Sequence, residues 1–210
     1  GQEVFQSYLL AAPPVEASNS MLQDSVIRLE DHIVNKLGQR FGRGQATYFT
    51  TGTGSGEPEG IVTAAANSTV TAASTTTVTY AELVTFMHKI DPIYRENATW
   101  MFNDGMLENL KKLVDSNGLP LWQFNPRDGE PATILGKPYV INQKMAVPAT
   151  GVKSILFGDM SYFNIRMVRG IRINQDLIAA RDTVGFYGFK RIDSRLLDAG
   201  TNPVKYLTQA

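Results

Sequence analysis

The sequence predicts an α+β fold in two domains, and three observations support this prediction. Residues 20–42 repeat apolar side chains with the period of a long amphipathic helix. Helical and strand-like segments alternate irregularly, without the regular βαβ order of a parallel sheet. The chain has 210 residues, 43% of them hydrophobic and 19% charged, so it is long enough to bury a core without cross-links.

The first elements predicted are a strand and the longest helix of the chain. Residues 4–10 are β-prone, but the two prolines that follow make this segment a poor central strand. Ser18 or Ser20 can cap the helix, and its apolar stripe predicts that Leu29 is buried. The members of the stripe are Leu22, Val26, Leu29, Ile33 and Leu37, and the glycines predicted to end the helix are Gly38, Gly42 and Gly44.

Little regular structure is predicted between this helix and residue 78. Residues 45–51 are short and β-prone, and residues 52–60 are a glycine-rich turn. Residues 62–79 are half serine and threonine and carry no charge, so we expect a loop or a loose hairpin. Because the composition changes near residue 78, we place the crossing between two domains there.

The segment after residue 78 has helices and strands of its own. Thr79 and Glu82 have the spacing of a capping box and predict a helix, which the Asp91-Pro92 pair ends. Asp104 is predicted to cap a further short helix. The strands predicted in this segment are residues 98–102, 134–141 and 154–158.

Two longer strands are predicted near the C-terminus, at residues 166–174 and 183–192. They have no adjacent hairpin partner of similar length, so we expect them to pair with the start of the chain and to lie against the long helix. The sequence therefore predicts a discontinuous domain, residues 1–77 and 166–210, with residues 78–165 as a second domain.

The composition excludes several kinds of site. The chain has no cysteine, which excludes disulfides, cysteine nucleophiles, zinc–thiolate sites and iron–sulfur clusters. His32 and His88 are the only histidines, and neither has a partner at the i, i+4 spacing of a metal-binding helix, so both are predicted to be structural. No apolar run reaches the roughly 18 to 20 residues of a membrane helix, so no membrane contact is predicted.

The charge is balanced overall but unevenly distributed. The net charge is zero, so bulk nucleic acid is not required as a partner. Residues 1–60 carry a net charge of −3 and residues 151–210 a net charge of +4, which fits head-to-tail attraction between copies or an ordinary solvated surface. Arg166, Arg169 and Arg172 recur every third residue, and salt bridges to a neighbouring subunit are favoured over a nucleic-acid groove.

No enzymatic constellation is evident. The loop 52–60 lacks the lysine of a nucleoside-triphosphatase phosphate loop, no capped helix is expected after it, and its Glu57 and Glu59 would repel phosphate. A nucleotide-binding enzyme that uses this loop remains the alternative from another functional class. The pairs Glu57/Glu59 and Asp91/Glu96 are available, but nothing in the sequence places either in a pocket. We therefore predict no catalytic residue, no cofactor and no metal.

Six segments, in their order and spacing, resemble the major capsid proteins of tailed phages, which have the Hong Kong 97 fold. The resemblance covers about residues 15–195, and the segments are specific together rather than singly. They are SNSMLQDS at 18–25, FTTGTGSGEPEGI at 49–61, ATWM at 98–101, DSNGLPL at 115–121, ILGKPYV at 134–140 and ILFGDM at 155–160.

The resemblance implies two domains. A peripheral domain holds the long spine helix and long antiparallel strands, here residues 1–77 and 166–210. An axial domain, here residues 78–165, lies toward the five- or six-fold axis of each capsomer. Because the chain starts where the family has the returning strand of an extended loop, we expect an N-terminal arm and the first strand of that loop to be missing.

The resemblance also implies a function. It predicts a structural, non-enzymatic subunit of a bacteriophage or prophage capsid that assembles in the bacterial cytoplasm and belongs to the virion. Its copies would form the hexamers and pentamers of an icosahedral shell around packaged double-stranded DNA. The implied partners are copies of itself, a scaffold or maturation protease, the portal, and DNA through non-specific contacts.

Two further points follow from the resemblance. One branch of the family cross-links a lysine on the extended loop to an asparagine on a peripheral strand. Residues 4–16 contain no lysine and residues 181–193 no asparagine, so cross-linking is not predicted here. An encapsulin-like protein compartment is the alternative reading within the same fold.

Overall fold

A computed structural model of the chain describes residues 3–24, 29–114, 117–119 and 133–210. The helices are α1 (Asn19–Asp24), α2 (Leu29–Thr51), α3 (Ile61–Ala64), α4 (Tyr80–His88), α5 (Pro92–Arg95) and α6 (Asp104–Lys111). The strands are β1 (Tyr8–Ser18), β2 (Ala66–Thr71), β3 (Thr99–Phe102), β4 (Thr133–Ile134), β5 (Lys137–Ile141), β6 (Lys153–Gly158), β7 (Phe163–Met167), β8 (Arg172–Ile178), β9 (Thr183–Leu196) and β10 (Val204–Thr208).

The chain divides into two compact units. The six-stranded unit comprises residues 61–164 and 196–210, and the four-stranded unit comprises residues 2–60 and 165–195. This division differs from the predicted one, because residues 61–77 and 196–210 belong with the segment that was predicted to be separate. The reason is strand pairing: β10 lies between β2, to which it is parallel, and β6, to which it is antiparallel.

The six-stranded unit is a mixed sheet in the order β2-β10-β6-β3-β5-β4. Alternate residues of its central strands enter two separate cores, as the pleat of a strand requires. Ile155 and Phe157 join one core, whereas Leu156 between them joins the other. The first core is aromatic, and the rings of Trp100 and Phe157 stack with their centroids 4.0 Å apart.

The four-stranded unit is a sheet with β9 at its centre. β1 pairs antiparallel with one side of β9, while β7 and β8 both pair with β9 as well. One face of the sheet packs on α2, where Ile33 and Leu37 meet Phe186 in one buried cluster. The predicted packing of the C-terminal strand on the long helix is therefore correct.

The position of β1 follows from its prolines. The predicted strand 4–10 was placed too early, since β1 runs from Tyr8 to Ser18 and includes Pro13 and Pro14. It tolerates them because it is an edge strand and because its register with β9 shifts between Ala12 and Val15. The prediction that this segment is not a central strand is confirmed.

The long helix extends farther than predicted. α2 has 23 residues and is the longest helix among the described residues, but it runs through the predicted terminating glycines and through the predicted β-prone segment 45–51. Burial of Phe41 continues the apolar stripe past Gly38 and offsets the roughly 1 kcal/mol that each helical glycine costs. The hydroxyls of Thr47, Thr50 and Thr51 each donate to the carbonyl four residues earlier, which further accommodates these residues in a helix.

Two members of the predicted stripe need comment. Leu29 is half-buried rather than fully buried, because it packs at the margin of the cluster around Leu37 and not within it. Val26 lies outside the described residues.

Other predictions fail or hold for local reasons. Residues 61–71 form α3 and β2 instead of a loop, since β10 supplies a partner strand that is distant in sequence. The predicted strand 166–174 is two strands, with a bend at 168–171 that contains Gly170. The predicted capping box at Thr79 is confirmed, whereas α6 is capped by Asn103 and not by Asp104.

Candidate functional surfaces

The glycine-rich loop satisfies its own donors. The carboxylate of Glu57 accepts hydrogen bonds from the backbone N–H of Thr53 at 2.8 Å and from its hydroxyl at 2.9 Å. Gly54 and Gly56 have positive φ, which folds the loop back so that Thr53 bridges Glu59. A phosphate at this loop would have to displace a carboxylate of the same charge. The four-residue helix α3 does open after the loop, contrary to expectation.

The predicted carboxylate pairs serve separate structural roles. Glu59 lies 3.7 Å from the guanidinium of the half-buried Arg195, at the other end of the loop from Thr53. Asp91 caps α5 by accepting a hydrogen bond from the backbone N–H of Ile93 at 3.0 Å. Glu57, Glu59 and Asp91 thus each have a different partner, a threonine, an arginine and a backbone N–H group respectively.

The histidines are on the surface. His32 is exposed on α2, and the exposed His88 has its Nδ1 atom 3.2 Å from the guanidinium of Arg95. Among the described residues, no group of three or more His, Asp or Glu side chains is placed to hold a metal ion. No described helix combines the length and the apolar character needed to cross a membrane.

A recess of about 280 Å³ lies between β1 and α2 in the four-stranded unit. Its lining is mainly apolar, with Arg40 and Arg43 as the charged members and no carboxylate or histidine. It therefore offers no carboxylate or imidazole for proton transfer, and Tyr48 contributes its one other titratable group besides the arginines. The lining residues are Leu10, Ala11, Ala12, Pro13, Arg40, Phe41, Arg43, Gly44 and Tyr48.

Polar side chains of the four-stranded unit fix the segment that leads into β1. Asp193 is buried and accepts a hydrogen bond from the backbone N–H of Gln6 at 2.6 Å. Arg166 donates to the carbonyls of Phe5 and Gln6 at 3.1 and 3.3 Å. The neighbouring Ser194 donates from its hydroxyl to a carbonyl of the glycine-rich loop at 2.7 Å. Nothing in the sequence indicated these contacts, because the partners lie more than 130 positions apart.

The six-stranded unit has a similar polar anchor at Gln209, which is buried. Its side-chain amide donates to the carbonyls of Ser74 at 2.8 Å and Thr77 at 3.3 Å, and its oxygen accepts from Ser154 Oγ at 2.7 Å. One side chain thus ties β10 to the serine- and threonine-rich loop. A single glutamine near the end of a sequence gives no signal of this role.

Glu82 holds the same loop from its other end. Its carboxylate accepts hydrogen bonds from the backbone N–H groups of Ala73 and Thr79, both at 2.8 Å. Burial on its own would raise the pKa of Glu82, but these bonds and the Thr79 hydroxyl favour the carboxylate, so the pKa lies below its usual value. The uncharged segment before α4 is therefore anchored by two polar side chains in addition to the burial of Ala72 and Val78 in the core.

The three C-terminal arginines have different surroundings. Arg166 is bonded to the segment before β1, and the guanidinium of Arg172 lies 5.4 Å from the ring centroid of Phe189. Arg169 is exposed on the bend between β7 and β8. The predicted salt bridges to a neighbouring subunit stay a prediction.

Comparison with known structures gives close matches over nearly the whole chain. The capsid of a native GTA particle shares 26% identity and a TM-score of 0.89, covering 98% of this chain and 73% of its own. The capsid of an empty GTA particle shares 27% identity and a TM-score of 0.87, covering 98% and 74%. The encapsulin SrpI from Synechococcus elongatus PCC 7942 shares 10% identity and a TM-score of 0.65, covering 98% and 74%, which shows the fold alone.

The sequence was also compared with family models and curated proteins. No curated protein matches the chain at the threshold applied. The model of the phage capsid family matches residues 1–208, which is nearly the whole sequence. The fold is accordingly the Hong Kong 97 type that the sequence resemblance implied, and the chain belongs to the phage capsid family as a structural capsid subunit.

Proposed function

We propose that this chain assembles with copies of itself into the hexamers and pentamers of an icosahedral shell that encloses packaged double-stranded DNA. The observation that carries the proposal is the match to the phage capsid family over residues 1–208, together with a fold that follows GTA capsid subunits over 98% of the chain. Scaffold, maturation protease and portal are its proposed protein partners. Its peripheral domain would be the four-stranded unit and its axial domain the six-stranded unit.

The physical basis of this function is association through many modest contacts. Because each pairwise contact is weak, a misplaced subunit can dissociate. Once the shell is closed, every subunit is bound at several sites at the same time, which stabilises the whole. A net charge of zero suits this role, since a large charge of one sign on every copy would oppose assembly. The proposed contact with DNA is sequence-independent.

The experiment is expression in bacteria followed by sedimentation and electron microscopy. We expect closed particles or capsomer rings that carry nuclease-protected DNA when the packaging partners are present. Particles that never take up DNA but retain a defined protein cargo would favour the encapsulin-like alternative. A chain that stays monomeric at all concentrations, with or without a scaffold, would contradict the proposal.

The nucleotide-binding alternative has its own test. Equilibrium dialysis with ATP should detect no binding, because the Glu57 carboxylate occupies the backbone and hydroxyl donors of Thr53 and would repel phosphate. Glu57→Gln keeps the shape of this side chain and removes its charge, so it is the matched variant that isolates the effect of the negative charge. Measurable ATP affinity that is lost on substitution of Gly54 or Gly56 would contradict a purely structural role for the loop.

A further inference from the structure

One segment of the four-stranded unit exposes an unusual amount of apolar surface. In β7, Ile165 is 45% exposed and Met167 is 60% exposed. On the bend that follows, Val168 and Ile171 are each 39% exposed. Four large apolar side chains in seven residues form a contiguous exposed apolar segment, and such segments in soluble proteins mark interaction sites.

The same segment has an open backbone edge. β7 and β8 pair with β9, and within the described part of the chain no strand pairs with their other edge. An unpaired strand edge presents N–H and C=O groups that a partner can bond. The opposite edge of this sheet is β1, where Pro13 and the register shift hinder pairing. The unprotected edge is therefore the one that also carries the apolar side chains.

The charge of the segment is uniformly positive. Residues 165–172 contain three arginines and no acidic residue. Arg166 and Arg172 are held by contacts within their own unit, whereas Arg169 makes no hydrogen bond or ion pair with any residue that the structure describes. A partner at this edge must therefore combine apolar groups with negative charge. The phosphate backbone of nucleic acid supplies charge alone, so it fits less well than a protein surface.

We propose that the edge formed by residues 165–172 is an interface with a second copy of this chain. The complementary surface is the start of the helical region in that copy, where residues 19–31 contain three acidic residues and one arginine. There the exposed Met21 lies three residues from the exposed Asp24. Glu30 and the exposed Val34 lie four residues apart, so each apolar side chain shares a helix face with a carboxylate.

This contact is heterologous, because the basic edge of one copy meets the acidic start of the helical region of the next. A heterologous contact generates rings or open arrays instead of closed dimers, which is what capsomers require. The inference rests on the proposed function, because it assumes that copies of this chain assemble with one another. It adds the surface involved and the sign of the charge on each side.

The test is a charge exchange in the whole chain, with assembly measured by sedimentation. Arg169→Glu should weaken association about tenfold or more, because a like charge replaces an attractive one at the interface. Adding Asp24→Lys and Glu30→Lys to the same chain should restore association, since the charges are then exchanged but still opposite. Lys144→Glu, an exposed site of the other unit, is the control with the same change in net charge. Met167→Gln should weaken association as well and leave the folded monomer intact.

The outcomes separate the proposals. Association of Arg169→Glu at the level of Lys144→Glu would overturn the inference while leaving the proposed function in place. Normal assembly of Arg169→Glu with reduced retention of DNA would overturn it in favour of nucleic acid. Loss of assembly that the two lysine substitutions do not restore would also overturn it. A wild-type chain that never associates contradicts the proposed function itself, and the inference with it.

Discussion

Gly188→Ala is the sharpest test of how the four-stranded unit packs. Gly188 lies in β9 directly beneath the buried ring of Phe41 on α2. A Cβ atom at this position would lie 2.5 Å from Phe41 Cε2 and 3.0 Å from Cζ, and the Ala12 Cβ at 3.7 Å closes the other side. Either the ring or the strand must move, which costs about 1 to 3 kcal/mol in a packed core.

The assay is hydrogen exchange of the β9 amides, which reports opening of this unit. A loss of about 1 to 3 kcal/mol accelerates exchange roughly 5- to 150-fold when opening limits the rate thermodynamically. Tryptophan fluorescence reports on the six-stranded unit instead, because both tryptophans, Trp100 and Trp122, fall within residues 61–164.

Two further variants serve as controls for Gly188→Ala. Gly38→Ala adds the same methyl group to α2, where nothing lies within 4 Å, and should stabilise the helix by about 0.5 to 1 kcal/mol. Phe41→Leu introduced together with Gly188→Ala should recover part of the loss, as expected for residues in direct contact. Exchange rates in Gly188→Ala equal to those of the wild type would refute the packing of Phe41 against β9.

Three further predictions concern the cores and the polar anchors. Leu37→Ala should destabilise the four-stranded unit by about 2 to 5 kcal/mol, and Leu29→Ala by clearly less, because Leu37 is fully buried and Leu29 only half-buried; equal losses in hydrogen exchange would contradict this ranking. The pKa of Glu82 is lowered in the folded chain, so its stabilising effect is complete above its unfolded value of 4.5 and is lost as the pH falls through the folded value. Protection of the amides in residues 73–79, taken relative to the intrinsic exchange rate at each pH, should therefore fall on acidification, and Glu82→Gln should remove most of this pH dependence. Gln209→Glu should lower stability by about 1 to 3 kcal/mol at neutral pH, because a carboxylate would face two carbonyls; Gln209→Met removes the same bonds without the charge, and an equal loss in both variants would argue against the assigned amide orientation.

The local signals in the sequence were sufficient for several elements. The capping box at Thr79 involves residues three apart, so the start of α4 was readable without any tertiary information. The apolar stripe located the long helix because burial of Ile33 and Leu37 follows its period. The fold itself came from the resemblance of several ordered segments and not from any single pattern.

The failures share a physical cause, which is that distant partners decided the local structure. Gly38 did not end α2, because burial of Phe41 against β9 outweighs the weak helix propensity of the glycines. Residues 66–71 became a strand because β10, more than 130 positions later, lies beside them. The hydrogen bond from Gln6 to Asp193 joins residues 187 positions apart. No periodicity within a short window contains this information.

The edges of the two sheets are protected against unselective strand pairing in different ways. With a net charge of zero, copies gain little protection from mutual repulsion, so protection has to be local. β1 carries two prolines, and the outer strand β2 is interrupted at Thr69, which has a positive φ that a β-branched residue rarely adopts. These devices hinder any incoming strand. The β7–β8 edge is protected by arginines instead. Their positive charge repels a basic partner but does not repel a partner with a complementary acidic surface. This repulsion depends on the salt concentration, because at 1 M salt the Debye length falls to about 3 Å. At that concentration we expect selective association to give way to disordered aggregation.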